Sequence, residues 1–126
     1  MEKEKELTLN EYQKKAMLTC MTSCENVAYM LTGLTAEVGE VNDKIAKAIR
    51  KGYLSIHRND IAWWVKDYSA QNMKIEIVKE LGDCLWFIAG MAKMLGYTLE
   101  EVAETNIAKL ASRAERNVID GNGDNR

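Results

Sequence analysis

Apolar residues recur at Val27, Leu31, Leu34, Val38, Val41, Ile45 and Ile49, in steps of three, four and occasionally both. At about 100° per residue those steps draw one narrow apolar stripe along a helix. Gly52 follows, a residue suited to ending a helix. A second stripe of helical period runs through Ile77, Leu81, Cys84, Leu85, Ile88, Met91, Ala92 and Leu95, and Gly96 closes it. Two shorter helices are expected outside these. Thr8 and Glu11 have the T-x-x-E spacing of a capping box and open a helix from about Leu9 to Ser23. Thr98 and Glu101 repeat the box and open a last helix reaching about Glu115.

Residues 53–72 lack a clean period, and Asp60 is placed to cap a short helix within them. The final stretch, NVIDGNGDNR, is rich in Asn, Asp and Gly and reads as an ordered loop or a frayed end. No composition shift marks a boundary. The pattern therefore predicts a single all-α domain over residues 1–126: an antiparallel four-helix bundle with an insert between helices two and three.

Composition narrows the partners. A chain of 126 residues, 47% of them apolar, can bury a core without disulfides or metals, and the absence of proline suits long helices. The net charge of −2 argues against a nucleic-acid protein working through a basic surface. No apolar run has the length of a membrane span, and MEKEKELTLNEY carries no secretory apolar core. Cys20, Cys24 and Cys84 are then reduced thiols, and the expected location is the cytoplasm. Cys84 falls in the second stripe and is expected in the core, as are Met17, Met21, Met30, Met91 and Met94 at a core or an interface. His57, the one histidine, excludes a multi-histidine metal site. No P-loop or dinucleotide fingerprint is present.

Candidate chemistry lies beside the stripes. Helix two contains Glu37-Val38-Gly39-Glu40-Val41 and helix three Glu80-Leu81-Gly82-Asp83-Cys84, both reading acid, apolar, Gly, acid, apolar. The i, i+3 spacing puts each acid pair on one face of its helix. Measured from the stripe centres, Glu37 and Glu40 fall roughly 80–140° to one side, and Glu80 and Asp83 roughly 60–120° to the same side. Parallel packing of the stripes would send the two patches to opposite faces. Antiparallel packing gathers all four carboxylates. Four such groups repel one another unless a cation sits among them, and hard oxygen ligands without histidine suit Mg²⁺, with Mn²⁺ as an alternative. Gly39 and Gly82 each cost about 1 kcal/mol against Ala in a helix, which suggests close approach of a neighbouring helix or a ligand. The competing interpretation is a solvated acidic flank, with Glu40 and Lys44 a simple i, i+4 pair, on a non-catalytic helical interaction module.

At these residues the sequence resembles the MazG-like all-α nucleoside triphosphate pyrophosphohydrolases. LTLNEYQ, GLTAEVGEVNDKIAKAIRKG, KELGDCLWFIAGMAKMLGYTLEEVAETNIAKL and the GNGDNR ending carry the likeness, the two central blocks most specifically. The resemblance implies cleavage of an NTP or dNTP between the α- and β-phosphates to NMP and pyrophosphate, with Glu37, Glu40, Glu80 and Asp83 as metal ligands and one of them, Glu37 for instance, as base. It implies that Asn106 and Lys109, and less strongly Arg113, meet the sugar or phosphates. Lys44 and Lys47 could do so, or serve as salt-bridge partners. It also implies a homodimer or homotetramer, as the exposed apolar flanks of so short a chain do. A relative acting on phosphoribosyl-ATP stays open. Two departures stand out. Ala36 occupies a place where many relatives have a second Glu, which puts a second metal site or a base in doubt. The insert is longer than usual and holds Trp63, Trp64 and Tyr68, either a lid that stacks on a base or packing at a core or subunit interface.

Overall fold

The computed structural model describes residues 5–63 and 68–126. In chain order it has helix α1 (Leu9–Met17), a 3₁₀ turn (Thr22–Cys24), helix α2 (Val27–Arg50), strands β1 (Leu54–His57) and β2 (Asp60–Trp63), helix α3 (Tyr68–Met94) and helix α4 (Leu99–Glu115). Both capping boxes form as the sequence predicts, each threonine accepting from the backbone N–H three residues on while the glutamate side chain accepts from the threonine's own N–H. The stop signals work too. Gly52 and Gly96 adopt φ of 72° and 81°, in the left-handed region where a side chain is disfavoured. Each allows the two bonds of a Schellman turn, Gly52 N to Ile49 O and Tyr53 N to Ala48 O in the first, Gly96 N to Lys93 O and Tyr97 N to Ala92 O in the second.

Helix α1 ends at Met17, well before the expected Ser23. The reason is local competition for carbonyls. Thr19 donates both its N–H (3.0 Å) and its hydroxyl (2.6 Å) to Ala16 O, and Cys20 N donates to Met17 O at 3.1 Å. These i→i−3 bonds tighten the last turn and divert the chain. Asn26 then starts α2, its side chain accepting from Tyr29 N at 2.8 Å.

Helices α2 and α3 run antiparallel, since Met30 faces Gly90, Gly33 faces Phe87 and Lys44 faces Glu80. Met17, Met30, Phe87, Ala89 and Leu99 form the buried core, with Tyr12, Ala16, Cys20, Leu34, Leu85, Trp86, Met91 and Met94 against it. Gln13 is the buried polar tie. Its amide donates to Ala89 O and Tyr97 O and its oxygen accepts from Leu99 N, joining α1 to the α3–α4 corner with every bond satisfied.

Three expectations about packing are corrected. Gly39 and Gly82 are not close approaches between helices, for no described protein atom lies within 4 Å of a Cβ at either; Gly33 and Gly90 are, against the Phe87 ring and the Met30 side chain. The α2 stripe is not the intrachain core. Leu34, Val41 and Ile45 are half-buried, whereas Leu31, Val38 and Ile49 stay 47–55% exposed, because the contact with α3 is rotated toward Met30, Gly33 and Leu34. Cys84 is half-buried rather than part of the core, and Met21, expected at a core or an interface, is exposed in the single chain.

The insert is not a capped helix but an antiparallel hairpin, with Leu54 opposite Trp63 and His57 opposite Asp60. Leu54 and Ile56 alternate with polar Ser55 and His57, a period-two pattern that four-residue strands make hard to see. Leu54 is buried, and Asp60 accepts from Ile61 N rather than capping a turn of helix. The proposed roles of the Trp63, Trp64 and Tyr68 side chains lie outside the described residues. The fold is thus mostly helical with one small two-stranded sheet. No described helix is long and apolar enough to cross a membrane.

Candidate metal and nucleotide site

The antiparallel register of α2 and α3 sets Glu37 opposite the Glu80–Asp83 face. Each of these three residues offers a carboxylate oxygen, and the three oxygens lie within 4.8 Å of one another. Glu37 and Glu80 are half-buried and Asp83 is exposed. Glu40, one turn along α2, is exposed and stands outside this group. Its charge still reaches Glu37. Burial first, then the negative charges of Asp83, Glu80 and Glu40, push the Glu37 carboxyl above the usual glutamate range. Lys44 sits 3.6 Å from Glu80 across the helix pair, so its ion pair is interhelical rather than the i, i+4 pair with Glu40 that helical spacing suggests. Lys47 pairs with Asp43 at 2.5 Å.

The donor set fits a hard divalent cation. It is all carboxylate, it is drawn from two helices, and burial followed by mutual repulsion raises the Glu37 carboxyl. Softer ligands are not supplied nearby. The Cys84 thiol is pushed up by burial and then by Glu37, Asp83 and Glu80, which keeps it protonated and a poor metal ligand or nucleophile. His57 is exposed in the hairpin, 2.9 Å from the Ser55 hydroxyl.

Beside the acids lies a cavity of about 400 Å³ lined by Thr19, Tyr29, Glu37, Asp83, Trp86 and Phe87. Its apolar wall is a cluster of rings. Phe87 stands 4.9 Å from Trp86 edge-on and 5.5 Å from Tyr29 at a tilt. Trp86 Nε1 donates to Thr19 Oγ1 at 2.9 Å and to Ala16 O at 3.1 Å, which fixes the indole. These aromatics escape a reading that looks for them in the insert. The available signal was spacing, since Trp86 and Phe87 follow Asp83 by three and four residues and therefore share its side of α3. A wider hollow of about 570 Å³ between α1 and the α3–α4 corner carries Lys14 and Lys93 but no acid, so the metal chemistry does not belong there.

Helix α4 places its polar stripe elsewhere. Lys109 Nζ and Arg113 NH2 both bind Asp124 Oδ1, at 3.3 and 3.0 Å. Arg113 is buried and also donates at 3.4 Å to the carbonyls of Gly123 and Asp124. Asn106 is exposed. The Asn117–Arg126 tail is therefore ordered and folded back on α4, with Arg126 Nε bound to Val118 O at 3.1 Å. Arg113 first, then Lys109, hold the Asp124 carboxyl below its ordinary range. A carboxyl depressed on folding contributes stability above its unfolded pKa and loses it as pH falls through the lower, folded one. The protection of the tail amides, taken as exchange relative to the unstructured rate at the same pH, is thus expected to fall below about pH 4, near the ordinary aspartate pKa, while α2 and α3 stay protected. In Asp124→Asn the tail should already exchange fast at pH 7, with melting changed little because Asp124 is exposed.

Comparison with known proteins matches the MazG nucleotide pyrophosphohydrolase domain to residues 25–118, which span α2, the hairpin, α3 and α4. The chain belongs to this family. The MazG family hydrolyses nucleotide phosphoanhydrides and commonly uses a divalent metal, as the acidic group on α2 and α3 suggests. The Gene 37 protein of Mycobacterium phage L5 is 35% identical over 105 residues, covering 82% of this chain and 80% of that protein. The uncharacterized protein YvdC of Bacillus subtilis (strain 168) is 34% identical over 82 residues, covering 65% of this chain and 70% of that protein. No solved structure matches significantly.

Proposed function

We propose that this MazG protein is a Mg²⁺-dependent nucleoside triphosphate pyrophosphohydrolase, cleaving a (d)NTP between the α- and β-phosphates to (d)NMP and pyrophosphate in cytoplasmic nucleotide house-cleaning. The observation that carries the reading is the three-carboxylate group of Glu37, Glu80 and Asp83 at the edge of an aromatic-walled cavity. These three would hold the ion, with Glu40 one turn away as a further ligand. When bound, the ion neutralises charge on the phosphate oxygens and eases departure of pyrophosphate. The rest falls to the chain. Glu37, whose carboxyl is pushed upward, would take the proton of the water that attacks the α-phosphorus. Lys44, already beside Glu80, is placed to meet a phosphate oxygen. The ring cluster receives the base. Roles for Asn106, Lys109 and Arg113 in holding substrate require phosphate to take the place that Asp124 occupies on the two cations.

The exposed apolar rows support a homodimer or homotetramer. Leu31 and Val38 on α2, Val78 and Leu81 on α3, and Ile107 on α4 are each about half exposed or more in the single chain. Exposed apolar side chains on three helices are the kind of surface that a subunit interface covers. Sedimentation is expected to show a dimer or tetramer.

The test of the activity is pyrophosphate release from a panel of NTPs, dNTPs and phosphoribosyl-ATP with Mg²⁺, Mn²⁺ or EDTA. Metal-dependent formation of monophosphate and pyrophosphate from a nucleoside triphosphate supports the proposal. Turnover of phosphoribosyl-ATP alone would replace the substrate. No turnover, with metal leaving the melting temperature unchanged, would leave a helical interaction module.

A further inference from the structure

At one corner of the cavity, where Thr19 meets Trp86, the polar hydrogens are spent. A threonine hydroxyl has one hydrogen to give and two lone pairs to receive. The Thr19 hydroxyl gives its hydrogen to Ala16 O at 2.6 Å and receives one from Trp86 Nε1 at 2.9 Å. One lone pair is left, on a residue that lines the cavity. Ala16 O cannot share the load further. It already accepts Thr19 N at 3.0 Å, the Thr19 hydroxyl, and Trp86 Nε1 at 3.1 Å. Trp86 has its single N–H committed to this pair of oxygens. Tyr29 lies beside Cys24, whose interaction with it raises the phenol's pKa and keeps it protonated. At Thr19 the described groups therefore offer an acceptor without a free donor: its own hydrogen and that of Trp86 Nε1 are both committed.

We infer that Thr19 is a specificity-determining residue and that the site selects nucleotides whose base carries an exocyclic amino group, as cytosine and adenine do. The inference rests on the pyrophosphohydrolase reading and names the substrate class of that site. A base lying on the Trp86–Phe87 rings with its amino edge toward Thr19 gives a hydrogen to the remaining lone pair. Uracil, thymine and hypoxanthine present a carbonyl at the same edge. That oxygen meets another oxygen, and Thr19 can turn its hydrogen outward only by giving up the 2.6 Å bond to Ala16. A cavity of about 400 Å³ is large enough for a base and its sugar. Sites that bind by hydrogen-bond complementarity reject the mismatched partner because polar groups are left unpaired. Here Thr19 is exposed and water can intervene, so the discrimination expected is about tenfold to a hundredfold in kcat/KM rather than the larger factors of enclosed sites.

Two substrate pairs isolate the effect, dCTP against dUTP and dATP against dITP, since each pair differs in an amino group replaced by a keto group. The wild-type protein with Mg²⁺ should favour the amino member of both pairs. Thr19→Val keeps the shape, removes the acceptor and leaves Trp86 Nε1 its bond to Ala16 O. It should lower both ratios toward one, chiefly by raising KM for dCTP and dATP. Thr19→Ser keeps the hydroxyl and should keep the ratios. Calorimetric affinities for dCMP and dUMP, measured with EDTA, give a readout independent of turnover, and near-ultraviolet circular dichroism checks that each variant is folded. Equal or reversed ratios in the wild type, or ratios untouched by Thr19→Val, would overturn the inference while leaving the pyrophosphohydrolase intact. If no nucleotide is hydrolysed, the activity proposal fails. The monophosphate affinities then decide the base preference, and equal or undetectable binding of dCMP and dUMP overturns it.

Discussion

Glu80→Gln is expected to lower the Mg²⁺-dependent rate of nucleotide cleavage by about 10² or more, the scale of losing one preorganised charge-stabilising group. Glu80 is half-buried, belongs to the three-carboxylate group and faces Lys44. The amide keeps its size and can still accept a hydrogen bond, but it removes a charge that an ion needs. The metal-free variant should melt no lower than the wild type. One member of a repelling cluster has gone, and Lys44, a third exposed, can return to water at small cost. Added Mg²⁺ separates the two proteins. A ligand that binds only the folded state adds about 2.7 kcal/mol at a hundred times its Kd. The wild type should gain melting temperature with Mg²⁺ and the variant should gain much less. A full Mg²⁺ shift in Glu80→Gln would take Glu80 out of the metal site, and unchanged turnover would take it out of the chemistry. Glu40→Gln provides the contrast. Glu40 stands outside the three-oxygen group, so its loss should weaken the Mg²⁺ shift less than loss of Glu80.

How much of this was legible in the sequence depends on how local each feature is. The acid pairs could be read because i, i+3 spacing fixes their face without any tertiary knowledge, and the antiparallel packing of α2 and α3 then follows from the chemistry of shared carboxylates. The capping boxes and glycine stops are equally local. Which face of α2 meets α3 was not legible. The helix is apolar both at Met30 and Leu34 and at Leu31 and Val38, and periodicity does not distinguish burial within a chain from burial between chains. That same ambiguity moved Glu40 out of the carboxylate group, since a modest rotation of α2 decides whether its second acid points inward. The end of α1 was hidden because Thr19 competes for Ala16 O, a choice settled partly by Trp86 from a distant part of the sequence. Asp124 was invisible as the partner of Lys109 and Arg113, since nothing in a run of Asn, Gly and Asp says where it folds back.

The glycines supply the sharpest test of that rotation. Gly33→Ala is expected to destabilise the protein by roughly 1–3 kcal/mol, the usual cost of overpacking, even though alanine is the better helix former. A Cβ at Gly33 would overlap three atoms of the Phe87 ring. That ring is buried, stacked edge-on against Trp86 and tilted against Tyr29, so it has no free direction in which to move. Displacing it would disturb the wall of the nucleotide cavity as well, and activity should fall along with stability. Gly39→Ala gives the opposite sign. Nothing lies within 4 Å of the added carbon, so the variant should gain about 0.5–1 kcal/mol from helix propensity alone. Urea unfolding of the two variants reads both signs in one assay. If the apolar stripe of Leu31 and Val38 were the contact face with α3, the order would reverse, because a helix turned that way brings Gly39 toward its neighbour and carries Gly33 aside. A destabilised Gly39→Ala beside a neutral Gly33→Ala would therefore overturn the register on which Glu37, Glu80 and Asp83 are brought together.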